Sequence, residues 1–382
     1  MRAAILFVVL ACGGSLAEYA DRRCPCTFEN IWLDVVVVVD TSAGMTQDGV
    51  VQISATIASV FGSTRIGPNN SNDPRYTRIG LVTYANTAII NSDLLKYKTT
   101  DDFVEDLFSV LQVTTIEESI LEKGLYAAES VLVSSRNATQ KVVIVFASSY
   151  RSDGENNPVP TAMRLRQSGV TLITIAYDQT GDSMMIRKIG DLATPGNAFT
   201  NTDLNLVGEI VNALCAANCF CPDLWRQLTS EFGNTAAAYK LGSCLRLSEI
   251  PAMWTSAKFA CRNMHRSGFL ATEFTQEKHT YLLEMMKHDA VQSEPYAYHI
   301  GLSYVNGAYN WEQPVGYQLE PLQGKGFWNP GYPTTTSSSN KCVLNSQQGT
   351  ELKTGWQNVD CFSVSKNYVC EVEACDTDNY CE

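Results

Sequence analysis

Histidine is scarce in this chain, with four residues in 382, all between His265 and His299. Neither an H-E-x-x-H zinc motif nor a nucleophile elbow is present, so the sequence points away from an enzyme. Lysine and arginine never cluster and the formal net charge is -12. Such a surface is a poor partner for nucleic acid or anionic lipid. Past the first residues no apolar run is long enough to span a bilayer, and residues 375–382 are polar, without a lipid-anchor signal. The one apolar run, residues 3–11, follows Arg2 and precedes Ser15-Leu-Ala17. That pattern predicts a cleaved signal peptide over residues 1–17 and a secreted, extracellular product.

Cysteine, by contrast, is plentiful. Thirteen are present, and removal of Cys12 with the leader leaves an even number for pairing in an oxidising compartment. Cys24 and Cys26 precede the first strand, and Cys215 and Cys219 follow the last helix of the first half. Domain termini commonly lie close together, so Cys24 and Cys26 are expected to pair with Cys215 and Cys219, in either order. The sequons at Asn69 and Asn137 predict glycosylation. The length suits two domains.

Residues 28–218 alternate strands with helices. Residues 33–39 are nearly all apolar and mostly β-branched, as in a strand buried on both faces. Residues 79–84, 87–90, 141–146 and 170–177 read as further strands. Helices are expected at 47–61, around 121–132, and at 161–167, 184–192 and 203–216. The pattern implies a doubly wound, mostly parallel sheet that binds ligand beyond the carboxyl ends of its strands, where Asp40 and Ser148 lie.

The run Leu33-Asp-Val-Val-Val-Val-Val-Asp-Thr-Ser-Ala-Gly-Met45, with Arg78-Ile-Gly-Leu-Val-Thr-Tyr84 downstream, resembles a von Willebrand factor A domain. The resemblance implies a magnesium or manganese seat at a D-x-S-x-S turn, completed by a second-loop hydroxyl and an Asp after the fourth strand. Asp40 and Ser42 match, and Ser119 fits the second-loop position, with Thr115 as the alternative. Gly44 replaces the second serine and Ser148 stands where the aspartate belongs. The expectation is a degenerate site that holds a divalent cation weakly or not at all, with no cofactor required.

Residues 221–374 change character, with two helices, short aromatic strands and long polar loops. Trp254-x-x-Ala-x-x-x-Cys261, Gly268-x-Leu-Ala-Thr272, Ile300-Gly-Leu302 and Tyr368-Val-Cys370-Glu resemble a C-type lectin-like domain, an α+β fold stapled by disulfides. The resemblance implies the pairs Cys261–Cys370, Cys342–Cys361 and Cys221–Cys244. Cys375 and Cys381 remain for a small loop in the tail, 375–382. The family's calcium triplets read Tyr332-Pro-Thr334 and Trp356-Gln-Asn358 here, without the acids, so the calcium site is expected to be lost. Ligand contact then falls to Tyr304, Tyr309, Tyr317, Tyr332, Thr334, Gln357 and Asn358, with Trp311, Trp328 and Trp356 placed in the core.

The two domains in this order resemble the secreted von Willebrand A plus C-type lectin proteins of nematodes. That resemblance implies a calcium-independent binder of glycans or microbial surfaces with a role in host defence. The alternative is an adhesion or matrix protein that recognises cell-surface or matrix proteins through the α/β domain.

Overall fold

The computed structural model describes residues 20–68, 73–177, 183–233, 238–335, 337 and 339–381. The expected leader and the Asn69 sequon lie outside the described residues.

The first half runs β1 (Asp34–Asp40), α1 (Gln47–Phe61), β2 (Arg78–Tyr84), β3 (Ala88–Ser92), α2 (Thr100–Val110), α3 (Leu121–Leu132) and β4 (Lys141–Ala147). It continues through α4 (Val159–Gln167), β5 (Thr171–Ala176), α5 (Ser183–Gly190), β6 (Ala198–Thr200) and α6 (Leu206–Ala217). The sheet order is β3-β2-β1-β4-β5-β6. Every pairing is parallel except β2 with β3. Every residue of β1 is buried because both sheet faces are covered. Val35, Val37 and Val39 pack with Ile53, Ile57, Phe103 and Leu214 on one side. Val36 and Val38 pack with Leu125, Ala128 and Leu165 on the other.

Two local differences from the sequence reading have clear causes. Helix α2 was not foreseen, although Thr99 and Asp102 form a capping box at its start. Helix α6 begins at Leu206 rather than 203, because Asp203 accepts from the Thr200 N–H and hydroxyl and holds a turn instead.

The second half comprises β7 (Arg226–Thr229), β8 (Lys240–Met253), α7 (Trp254–Met264), β9 (Phe269–Leu270), α8 (Gln276–Lys287) and β10 (Ala297–Val305). It ends with β11 (Ala308–Trp311), β12 (Glu320–Pro321), β13 (Cys342–Gln347), β14 (Thr354–Val359) and β15 (Ser365–Glu373). The sheet order is β12-β11-β10-β15-β8-β7, with the β13–β14 pair attached to β10 and β9 attached to β15. Its core gathers Leu245, Leu282, Tyr298, Ile300, Trp311, Trp356 and Val369. The disulfides are Cys221–Cys244, Cys261–Cys370 and Cys342–Cys361.

The halves are fastened together at one seam. Cys24 bonds Cys219 and Cys26 bonds Cys215. Trp32 is fully buried, its ring 5.2 Å from that of Phe220 and 4.6 Å from that of Tyr380. The Trp32 indole N–H donates to Asp376 O at 2.9 Å. The segment read as a polar tail is therefore a wedge with Cys375, Asp376 and Thr377 buried, closed by Cys375–Cys381 and seated against the α/β domain. Its polar groups are used inward, since Thr27 N–H donates to Thr377 Oγ1 and Arg75 to Thr377 O.

Candidate functional site

From β1 the sheet extends to β2 on one side and β4 on the other, which opens a crevice at the strands' carboxyl ends. Asp40 closes β1 there and is fully buried. Its Oδ1 accepts the Ser42 N–H at 2.9 Å. Its Oδ2 accepts the Ser119 hydroxyl at 2.9 Å and the Ser148 hydroxyl and N–H at 2.7 and 3.2 Å. Ser119, and not the exposed Thr115, reaches the carboxylate. The loop that carries it is pinned by Ala43 N–H to Ile116 O and Thr114 N–H to Thr41 O, both 2.7 Å. Burial first, then the charge of Asp40, push the phenol of neighbouring Tyr84 well above its ordinary value.

Gly44 is exposed, and a Cβ there would lie 3.7 Å from Ser148 Oγ and 3.8 Å from Ser42 Oγ. The missing side chain leaves a notch, and Ser42 Oγ borders it, buried and without a hydrogen-bond partner. A divalent cation wants a cage of oxygens with enough negative charge to offset its dehydration. Here one carboxylate already accepts four hydrogen bonds and Gly44 adds no side-chain oxygen, so these residues do not fit magnesium or manganese. Among the described residues, no group of three or more His, Cys, Asp or Glu could hold a metal ion. On the loop pinned through Ile116, Glu117 is exposed, and Glu118 pairs with Arg151 at 3.2 Å, each about half exposed.

In the second domain the expected ligand residues differ in exposure and in partners. Tyr317 is 72% exposed. Tyr304, Tyr309 and Tyr332 are half-buried, and so is Trp328, whereas Trp311 and Trp356 are fully in the core. The rings form a ladder, Tyr304–Tyr309 at 5.1 Å, Tyr309–Trp328 at 4.9 Å and Trp328–Trp356 at 5.6 Å. Gly326 crosses it with φ +68°, where a Cβ would run into the Trp356 ring. Asn358 is buried and accepts from the Thr334 N–H and hydroxyl at 2.8 and 3.1 Å. Its amide N–H groups donate to Thr334 O and Asn340 O. Thr334 and Asn358 thus meet each other, while Gln357 remains partly exposed beside them.

Sequence reasoning missed a polar network beneath this ladder. Buried Glu273 receives Nδ1 of His279 at 2.7 Å, the Trp356 indole N–H at 2.5 Å, the Tyr298 hydroxyl at 3.1 Å and the Asn345 amide at 2.9 Å. His279 Nε2 lies 3.1 Å from Thr354 O. Burial opposes ionisation of Glu273, but the charge and hydrogen bond of His279 outweigh it and hold the carboxyl below its ordinary value. Burial likewise opposes protonation of His279, and Glu273 overcomes it and raises the imidazole. The available signal was Glu273 shortly after Phe269-Leu-Ala271, with Asn345 directly after Cys342-Val-Leu344.

The von Willebrand factor type A domain model matches residues 34–213. C-type lectin domain-containing protein 160 of Caenorhabditis elegans is 30% identical over 379 residues, 96% of this chain and 57% of that relative. Lectin BRA-3 of Megabalanus rosa is 23% identical over 165 residues, 43% of this chain and 85% of the lectin. Among solved structures, proximal thread matrix protein 1 from the mussel byssus aligns with 50% of this chain and 46% of its own, at 20% identity and TM-score 0.42. The chain thus spans little more than half the length of the nematode relative.

Proposed function

We propose that this chain, which carries a von Willebrand factor type A domain ahead of a domain resembling C-type lectin-domain-containing proteins, is an extracellular adhesion or matrix protein. Both domain types belong to families that are typically non-catalytic, and the protein is non-enzymatic. The α/β domain takes a protein ligand at the carboxyl end of its sheet, and no divalent cation is required there. Six disulfides suit an oxidising compartment.

One contrast carries this reading. In the second domain the carboxamide of Asn358 is consumed by its own loop. In the first, Gly44 is exposed, with Ser42 and Ser148 beside it, and Ala43 N–H to Ile116 O ties its turn to the loop that carries exposed Thr115, Glu117 and Glu118. Calcium-independent carbohydrate binding through Tyr304, Tyr317, Tyr332 and Gln357 is a second reading, favoured by the exposed Tyr317 ring and the similarity to lectins. A host-defence role depends on that second reading.

The test is adhesion of the whole protein to immobilised extracellular-matrix proteins, beside a glycan array, both in EDTA. Adhesion should fall at least tenfold in Glu117→Lys and be unchanged in Tyr317→Ala. Array binding lost in Tyr317→Ala, with no matrix adhesion at all, would favour the carbohydrate reading instead.

A further inference from the structure

We propose that the notch at Gly44 receives a primary ammonium, the lysine side chain of a partner protein, rather than a carboxylate bridged through a metal. The inference rests on the reading of the α/β face as the adhesive face and names the chemistry of its ligand. It follows from where the hydroxyl protons are. Ser148 gives its proton to Asp40 Oδ2 at 2.7 Å, which leaves only lone pairs for the notch. The Ser119 hydroxyl lies between two acceptors, Asp40 Oδ2 at 2.9 Å and Ser149 O at 3.1 Å, so its proton is committed as well. Ser42 Oγ, in a residue only 1% exposed, has no partner and offers further lone pairs.

Charge points the same way. Every group bonded to Asp40 is neutral, and among the described residues it has no ion-pair partner. Glu117 is exposed and likewise has no ion pair among the described residues. A carboxylate ligand would meet one spare proton and a negative field. An ammonium brings three donors and no acceptor, so each oxygen it meets is a match. The notch is the space of one absent side chain, which suits a compact ammonium better than a planar guanidinium.

The test titrates the whole protein in EDTA with three short capped peptides, one with lysine, one with Nε-acetyl-lysine and one with glutamate. Chemical-shift changes report the affinity. The lysine peptide should bind at least tenfold more tightly than the other two. Gly44→Ala fills the notch at ordinary contact distances and should lower that affinity at least tenfold without changing the melting temperature. Ser42→Ala should weaken binding several-fold yet leave stability unchanged or higher, because it removes a buried hydroxyl that has no partner. Glu351→Gln, an exposed change in the second domain, should leave binding within twofold and so excludes diffuse attraction to net charge.

Lysine-peptide affinity indifferent to Gly44→Ala would overturn the proposal. So would a preference for the glutamate peptide that appears with magnesium and vanishes in EDTA. Matrix adhesion lost in Glu117→Lys but kept in Gly44→Ala would sink the ammonium notch and leave the adhesive reading standing. Lysine binding that responds to both notch variants, in a protein that adheres to no matrix, would support the notch and remove that reading.

Discussion

Glu273 sits where an apolar side chain would satisfy the core, and its partners come from four other elements, α8, β10, β13 and β14. The pair it forms with His279 makes stability depend on pH in two opposite senses. The folded-state pKa of Glu273 lies below its reference of 4.5, so its contribution is present above that reference and is lost as pH falls through the lower folded value. The folded-state pKa of His279 lies above its reference of 6.5, so its contribution is full below that reference and is lost as pH rises through the higher folded value. The melting temperature should therefore be highest between these limits and decline on both sides. In Glu273→Gln the charge-linked parts of both limbs should flatten, and stability should drop by about 3 to 5 kcal/mol, because one partner of a buried pair is gone. Denaturant melts across pH measure both effects. In the first domain, Gly44→Ser with Ser148→Asp should restore oxygens and charge around Asp40. Magnesium should then raise the melting temperature of the double variant and leave the parent unchanged; at about 100 times Kd the linkage is about 2.7 kcal/mol. A parent that is stabilised by micromolar magnesium would contradict the donor geometry. The sequence displayed the substitutions at 44 and 148, but not that Ser119 and Ser148 would turn their protons onto Asp40.

At the scale of elements, legibility followed periodicity. Strand β1 and helix α3 were readable because a central strand is apolar throughout and a covering helix repeats its apolar positions every three or four residues. Helix α2 was not foreseen: it buries only Phe103 and Leu107 fully, with Val104 and Val110 packed partly against the same core, and Asp and Glu fill much of its exposed face. Its capping box should matter in proportion: Thr99→Ala is expected to cost about 1 kcal/mol in chemical denaturation. Strand β8 was also missed, because its burial runs out toward Met253, and pairing with β15 and, at its start, with β7 holds it extended. The aromatic ladder behaves as one block around Trp311 and Trp356, whose rings meet at 5.4 Å. Trp311→Ala should destabilise the second domain by about 3 to 5 kcal/mol. Tyr317→Ala, at a ring largely in water, should leave the melting curve in place.

At the scale of the whole molecule, the seam makes one body of two halves. Trp32, the wedge closed by Cys375–Cys381 and the bonds Cys24–Cys219 and Cys26–Cys215 all lie on it. Calorimetry of the intact protein should show a single transition, and Trp32→Ala should split it in two by removing a buried ring that both halves share. A non-reducing peptide map should contain no bridge from Cys24 or Cys26 to Cys261, Cys342, Cys361 or Cys370. Cys261–Cys370 closes a separation of 109 residues and stabilises by about 4 to 5 kcal/mol in the chain-entropy model.

By itself the sequence determined the mostly parallel α/β sheet of the first half and the disulfide-rich α+β character of the second. Both are written in short-range patterns, the apolar period and the spacing of cysteines and aromatics. Only the tertiary structure decided how Cys24 and Cys26 choose their partners, that residues 375–381 are a wedge, and that Thr334 and Asn358 hold each other. It also decided that Glu273 is matched by Trp356, 83 residues away, and that Asp40 is bonded by Ser119 and Ser148, 79 and 108 residues away. Such pairings depend on which distant hydroxyl, amide or ring the tertiary fold sets beside a buried charge, and no local pattern records that.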